Sequence, residues 1–276
     1  MKNISLVEIA LETLKIVESG FYRNSLGKEV SIKELTDFAV NNSESISPEY
    51  FPPKLDLKRI NSETKIEVTG ETTLEAAKRV YQKNKGTIPF ALNFANGFTP
   101  GGGFLVGAVA QEESLARASS LYPCLTANMD MYEFNQRQRT QLASDWMIYS
   151  PQVPVFRNDD ASFIDEPYYV TFLTSPAVCV RGLTQAELEN VDLIYSINRE
   201  RIRKFLWLAN KKGHQTLILG AWGCGAFRNN VQDIAETFRD LLKGEFANCF
   251  ERVIFAIYDT TPTQQVYKTF VEVLGN

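Results

Sequence analysis

The chain is short of several residue types, and each shortage excludes a chemistry. It has one histidine in 276 residues, His214. A multi-histidine metal site therefore cannot be built, and any Ser-His-Asp triad would have to use His214. No G-x-S-x-G elbow accompanies that residue. The four cysteines, Cys124, Cys179, Cys224 and Cys249, form no C-x-x-C pair, which argues against a zinc ribbon or a thioredoxin-like motif. Scattered thiols fit a reducing compartment. No run of about 18 apolar residues occurs, so no membrane span is expected. Glu8 and Glu12 interrupt any signal-peptide core near the start. The expected location is cytoplasmic. Net charge is −4, so a broadly basic duplex-binding surface is not expected. No internal repeat or low-complexity run is present.

What remains is a chain that is 44% hydrophobic, enough for a full core. Apolar spacing predicts a helix over 5–19 and a short one over 31–40, followed by an Asn/Ser/Pro-rich loop over 41–53. Residues 1–60 read as an accessory helical segment packed on a main domain over 61–276. In that domain, Lys65-Ile66-Glu67-Val68 predicts a strand. Thr72 and Glu75 form a capping box that opens a helix reaching about Lys83. Strands are expected at 88–94, 146–149, 168–173, 216–219 and 252–258. Helices are expected at 110–121, 128–140, 185–210, 231–242 and 262–274, and a loop over 151–167. Strands alternating with helices predict an α/β sheet covered by helices.

Two glycine-rich loops follow predicted strands, which places both on the carboxyl rim where such sheets bind ligands. The first is Pro100-Gly101-Gly102-Gly103. It is neither a P-loop nor a dinucleotide fingerprint, because no Gly-Lys-Ser/Thr follows and Val106 stands where a third glycine or alanine belongs. Alone it reads equally well as a turn; functionally, it lets a ligand lie on bare backbone. Gln111-Glu112-Glu113 follows at a helix start. Acidic residues there suit the helix dipole. They also supply the carboxylic acids that glycosidic chemistry needs, and a neighbouring like charge helps one of them keep a proton. The second loop, Gly220 to Asn230, leads into a helix whose N-terminus is a candidate for a diphosphate. Cys224 within it lacks a base partner and reads as small-residue packing. Phe227 is a candidate for shielding a ribose. Glu71 is a candidate for accepting from an adenine amino group, and Phe255 and Tyr258 for stacking on the base.

Leu92-Asn93-Phe94-Ala95, the Pro100-Gly-Gly-Gly-Phe run, Gln111-Glu112-Glu113, Ser119-Ser120-Leu121-Tyr122-Pro123 and the 220–230 loop together resemble the poly(ADP-ribose) glycohydrolases, most of all the compact microbial type. The resemblance spans roughly residues 60–276. It implies a macrodomain-like mixed β-sheet between helices with an N-terminal helical extension, and hydrolysis of the ribose–ribose bond to release ADP-ribose. It implies that Glu113 is catalytic, with Glu112 and Gln111 supporting it or touching the ribose. It also implies that Gly101, Gly102 and Gly103 pack along the terminal ADP-ribose, with Asn93 or Asn96 on the ribose. Gly223, Cys224, Gly225, Ala226 and Phe227 then match the diphosphate loop, and Gly70-Glu71 is similar to the Gly-Asp of ordinary macrodomains. No metal or cofactor is expected, and the working unit is expected to be a monomer. Two rival readings share the pocket: a hydrolase of single ADP-ribose units on protein or nucleic acid, and a non-catalytic ADP-ribose binder.

Overall fold

A computed structural model describes residues 5–52, 54–83 and 87–275; residues 1–4, 53, 84–86 and 276 lie outside it, and with them the start of the chain and Pro53. The elements run α1 (Leu6–Ser19), β1 (Phe21–Arg23), β2 (Glu29–Ser31), α2 (Lys33–Asn41), β3 (Glu44–Ile46), β4 (Lys65–Thr69), α3 (Thr73–Lys83), β5 (Phe90–Phe94), α4 (Gln111–Ala118), α5 (Leu121–Thr126), α6 (Asp130–Gln138), β6 (Met147–Arg157), β7 (Phe163–Ser175), α7 (Gln185–Leu188), α8 (Val191–Lys211), β8 (Thr216–Leu219), α9 (Val231–Lys243), β9 (Arg252–Ala256) and α10 (Gln265–Leu274). Seven strands form one mixed sheet in the order β3-β6-β7-β5-β8-β9-β4, and β1 and β2 form a separate hairpin. Only β6 runs against the rest, so β7, β5, β8, β9 and β4 all end on one rim.

The period-2 alternation of the strands builds two cores. Phe90 and Leu92 of β5, with Leu217 and Leu219 of β8, face the layer of α8, α9 and α10. Ala91 and Ile218 face the opposite layer, which contains α3, α4, α5 and α6. Asn93 shares a face with Ala91, and the sheet therefore delivers it beneath α4. The Thr72–Glu75 capping box forms as expected: Thr72 Oγ1 accepts from the Glu75 N–H at 3.1 Å and Glu75 accepts from the Thr72 N–H at 2.9 Å.

Several expected boundaries are corrected. Most of the expected 151–167 loop is the long β6–β7 hairpin. Its prolines are tolerated because β3 covers only Met147, Ile148 and Tyr149, leaving the rest of β6 at an edge. Pro151 sits at a register shift between Ser150 and Val153. The expected 41–53 loop contains β3, whose register places Ile46 opposite Met147. The helix expected over 110–121 breaks at Ser119, whose backbone is extended and bridges to Val155, while the Ser120 N–H donates to the Pro154 carbonyl. The helix expected over 185–210 is two helices, because Asn190 caps α8 by accepting from the Leu193 N–H.

The first sixty residues touch the main sheet at both ends of their path. The Thr13 hydroxyl of α1 donates to the Arg117 carbonyl at the end of α4 at 2.6 Å. Glu12 and Thr13 both bond the Arg157 guanidinium near the tip of the β6–β7 hairpin. Among the described residues, no helix is long and apolar enough to cross a membrane.

Candidate active site

A cleft of about 900 Å³ opens on the rim. Its lining includes Phe94, Asn96, Gln111, Glu112 and Glu113, residues 221–227, residues 256–261 and the start of α3.

The glycine turn lies directly against the two carboxylates. Gly101 and Gly102 take positive φ values of 67° and 59°, which side chains rarely adopt. A Cβ on Gly102 would overlap Glu113 Oε1 and lie 3.0 Å from Glu112 Oε2. The next N–H, from Gly103, donates to Glu113 Oε1 at 2.9 Å. None of the three glycines lines the cleft; they form the seat on which the two carboxyls rest.

Glu112 is 3% exposed and doubly held. Asn93 Nδ2 donates to its Oε1 at 3.2 Å, and the Asn96 N–H donates to its Oε2 at 2.7 Å. Burial pushes its carboxyl up to about 8; the charge of Glu113 adds to that rise, and the Asn96 and Asn93 bonds oppose it. Glu113 is 9% exposed, and its second oxygen accepts no hydrogen bond from the described residues. Nothing caps α4: Ala110 precedes it, so the positive end of the helix dipole faces the carboxyl pair.

The remaining candidates sort by what holds them. Asn93 is fully buried and reaches Glu112 rather than the cleft. Asn96 lines the cleft, and its side-chain oxygen accepts from the N–H groups of Phe98 and Thr99. Gln111 is committed as a brace: Oε1 accepts from the Phe94 N–H at 2.9 Å, and Nε2 donates to the Leu92 carbonyl and the Thr73 hydroxyl. Glu71 does not line the cleft. Arg79 takes both its oxygens at 2.8 Å and holds its carboxyl below the usual range. Phe255 is fully buried against Phe238 and Phe270, so it is a core residue. Tyr258, 66% exposed, stands at the cleft mouth.

The second loop is built to present its backbone. The N–H groups of Gly223, Gly225, Ala226 and Phe227 have no acceptor among the described residues. Asn229 pins the loop from behind: its Nδ2 donates to the carbonyls of Val178 and Gly223, and its Oδ1 accepts from Asn198 at 2.7 Å. A Cβ on Gly223 would strike Ala177 and Asn229, whereas one on Gly225 meets nothing within 4 Å. The start of α9 is already satisfied, because the Asn230 side chain accepts from Gln232 and Asp233. The unengaged N–H groups here are therefore those of the loop, not those that the Asn230 side chain caps at the helix start. Burial pushes the Cys224 thiol up to about 12, which keeps it protonated and unreactive.

Some cleft residues carried no sequence signal. Arg157, Asn158 and Asp159 reach the wall from the hairpin tip, and Leu6 and Ile9 from α1. The Thr72 hydroxyl donates to Asp159 at 2.6 Å, tying the tip to the start of α3. These contacts are tertiary, between segments far apart in the chain, and no local motif announces them.

The pattern of the microbial-type PARG catalytic domain matches residues 10–158. The poly(ADP-ribose) glycohydrolase from Thermomonospora curvata is 43% identical, with a TM-score of 0.93 over 98% of this chain and 99% of that one. The same enzyme bound to the inhibitor ADP-HPD gives 0.89 at 43% identity, over 97% and 98%. Poly(ADP-ribose) glycohydrolase from Deinococcus radiodurans in complex with ADP-ribose gives 0.80 at 37% identity, over 88% and 98%. No curated protein matches the chain.

Proposed function

Since the chain belongs to the microbial-type poly(ADP-ribose) glycohydrolase family, we propose a division of labour within its cleft. The protein is a glycoside hydrolase that cuts the ribose–ribose O-glycosidic bond of poly(ADP-ribose) and releases ADP-ribose. The observation that carries the assignment of parts is the placement of the carboxyl pair. Both carboxyls rest on Gly102, and the same cleft is lined by the loop whose Gly223, Gly225, Ala226 and Phe227 amides have no acceptor among the described residues.

The diphosphate of the terminal unit takes the amides of Gly223, Gly225, Ala226 and Phe227, as anions do in concave backbone nests. That fixes the attached ribose over α4. Glu113, steadied through Oε1 by the Gly103 N–H, uses its unengaged oxygen to protonate the leaving ribose oxygen. As that C–O bond breaks, positive charge builds at the anomeric carbon, and the nearby diphosphate offsets it. The ionised Glu113 then takes a proton from the water that attacks this carbon, which restores the acid and completes ADP-ribose. Glu112 orients a ribose hydroxyl.

All of these parts lie on one chain, which supports a monomer as the working unit. The free thiols of Cys124, Cys179, Cys224 and Cys249 support a cytoplasmic location.

The test incubates wild type and Glu113→Gln with poly(ADP-ribose) and, separately, with mono-ADP-ribosylated protein. Release of ADP-ribose from the polymer by wild type, lost in the variant, is the expected result. Undiminished release by the variant removes Glu113 from the role. Release only from the mono-modified protein reassigns the substrate. Binding of ADP-ribose without release from either makes the chain a reader.

A further inference from the structure

Three arginines are buried among the described residues, and two of them have a carboxylate partner. Arg157 pairs with Glu12, and Arg201 with Asp145. Arg117, 7% exposed, forms no salt bridge among the described residues. Its Nη1 donates to the Ala108 carbonyl at 2.8 Å, and its Nη2 lies 3.4 Å from the Ser114 hydroxyl. Both acceptors are neutral. Burying a cation without a paired anion is costly, and the fold places that cost one helical turn from Glu113.

Arg117 stands four residues after Glu113 on α4, so the two side chains leave the same face of the helix. Both line the cleft. They hold one turn, residues 103–108, by its two ends. The Gly103 N–H donates to Glu113 Oε1 at 2.9 Å, and the Ala108 carbonyl accepts from Arg117. The Ala108 N–H closes the turn onto the Gly103 carbonyl at 3.0 Å. Hydrogen bonds therefore link the guanidinium through Ala108 and Gly103 to the Glu113 carboxyl. No other group among the described residues donates to the Ala108 carbonyl. The turn is also tightly packed, since a Cβ on Gly103 would come within 2.8 Å of that of Ala108. The backbone of Arg117 is fixed from the far side, where Thr13 Oγ1 of α1 donates to its carbonyl at 2.6 Å.

We propose that Arg117 is a positioning residue for Glu113: it fastens the far end of the 103–108 turn and thereby fixes the N–H that steadies the Glu113 carboxyl. It also sets a positive charge one turn from a group that passes between acid and carboxylate in the catalytic cycle. An acidic residue four places before a basic one is the favourable order on a helix. With no carboxylate partner of its own, the guanidinium keeps that charge uncancelled at contact distance. The proposal rests on the reading of Glu113 as the acid and base of ADP-ribose release.

The test compares wild type with Arg117→Met, which keeps the apolar stem, and Arg117→Lys, which keeps a charged donor. Turnover of poly(ADP-ribose), calorimetric affinity for ADP-ribose and melting temperature are measured on each. Arg117→Met should lose about 100-fold in turnover, the scale of a misplaced catalytic group, with its affinity for ADP-ribose unchanged. Arg117→Lys should recover part of that loss, about tenfold, because it restores the charge and one hydrogen bond without the fork. Wild-type turnover in a folded Arg117→Met overturns the proposal. So does affinity that falls in step with turnover, since Arg117 would then touch the ligand or support the whole cleft. A lysine variant no better than the methionine one overturns it as well. If Arg117→Met does not fold, Arg117→Lys decides: reduced turnover at unchanged affinity and melting temperature supports the proposal, and any other result overturns it. A wild type that releases nothing from the polymer would unseat the hydrolase reading itself. An active wild type beside an equally active Arg117→Met would unseat this proposal alone.

Discussion

Gly102 sits beneath the carboxyl of Glu113, so closely that a Cβ at that position would overlap Glu113 Oε1. Its φ of 59° adds backbone strain to any side chain there. Gly102→Ala should therefore displace Glu113 by a fraction of an ångström to an ångström. Misplacement of that size costs about 100-fold in turnover, with about 1–3 kcal/mol of stability lost to the strained backbone. Initial rates of ADP-ribose release, set beside a denaturant curve, separate the two effects. A variant with wild-type turnover would show that the glycine is only a turn.

Glu112 makes stability depend on pH. Its folded carboxyl, near 8 against an ordinary 4.5, binds its proton more tightly than the unfolded chain does. Burying it therefore costs nothing below about pH 4.5. Stability falls as pH rises through the interval to about 8 and levels off above it. Glu112→Gln cannot ionise and should escape that loss. Between pH 5 and pH 9 the variant should gain on wild type by about 2–4 kcal/mol, read from urea unfolding at each pH. A gap that does not change with pH would refute the buried-acid account.

His214 acts at the other end of the scale. Burial holds its imidazole down to about 4 from an ordinary 6.5, with Tyr149 OH 2.9 Å from Nε2 and Phe90 against the ring. The unfolded chain binds this proton first, so stability is full above about pH 6.5 and is lost as pH falls toward 4. His214→Gln should flatten that acid limb by about 2 kcal/mol. Thermal melts between pH 4 and 7 provide the check.

Asn229 holds the amide row in place without lining the cleft itself. Asn229→Leu leaves the Val178 carbonyl and the Asn198 amide unpaired, each at about 1–3 kcal/mol, while the Gly223 carbonyl keeps its bond from the backbone N–H of residue 229. ADP-ribose should bind at least about tenfold more weakly, while adenosine, which has no diphosphate, should bind as it does to wild type. Equal losses for both ligands would mean general damage to the cleft.

The sequence carried the sheet and both loops because those signals are local: apolar alternation, a capping box and glycine runs. It also carried the pairing of Glu112 with Glu113. It could not show that Gln111 is a brace, because that depends on Leu92 and Thr73 arriving beside it. Glu71 sits just past the end of a strand, where a base-reading carboxylate is expected, and only the fold shows Arg79, nearly two turns into α3, claiming it. The β6–β7 hairpin was hidden by its own prolines, which read as loop residues until the uncovered edge of β6 is known.

The strand order has a consequence for how the chain is made. Its first two contributions to the main sheet, β3 and β4, are the two outermost strands, and they are far apart in the finished protein. Among the described residues, β3 pairs only with β6, and β4 only with β9, the last of these strands to be made. Both partners are synthesised later, β6 midway along the chain and β9 after every other strand of the described sheet, so the β4 edge has the longer wait. Until β9 emerges, β4 has no mate in its own chain and offers its bare edge to any other. Such late, long-range closure makes folding slow compared with helical proteins of similar size.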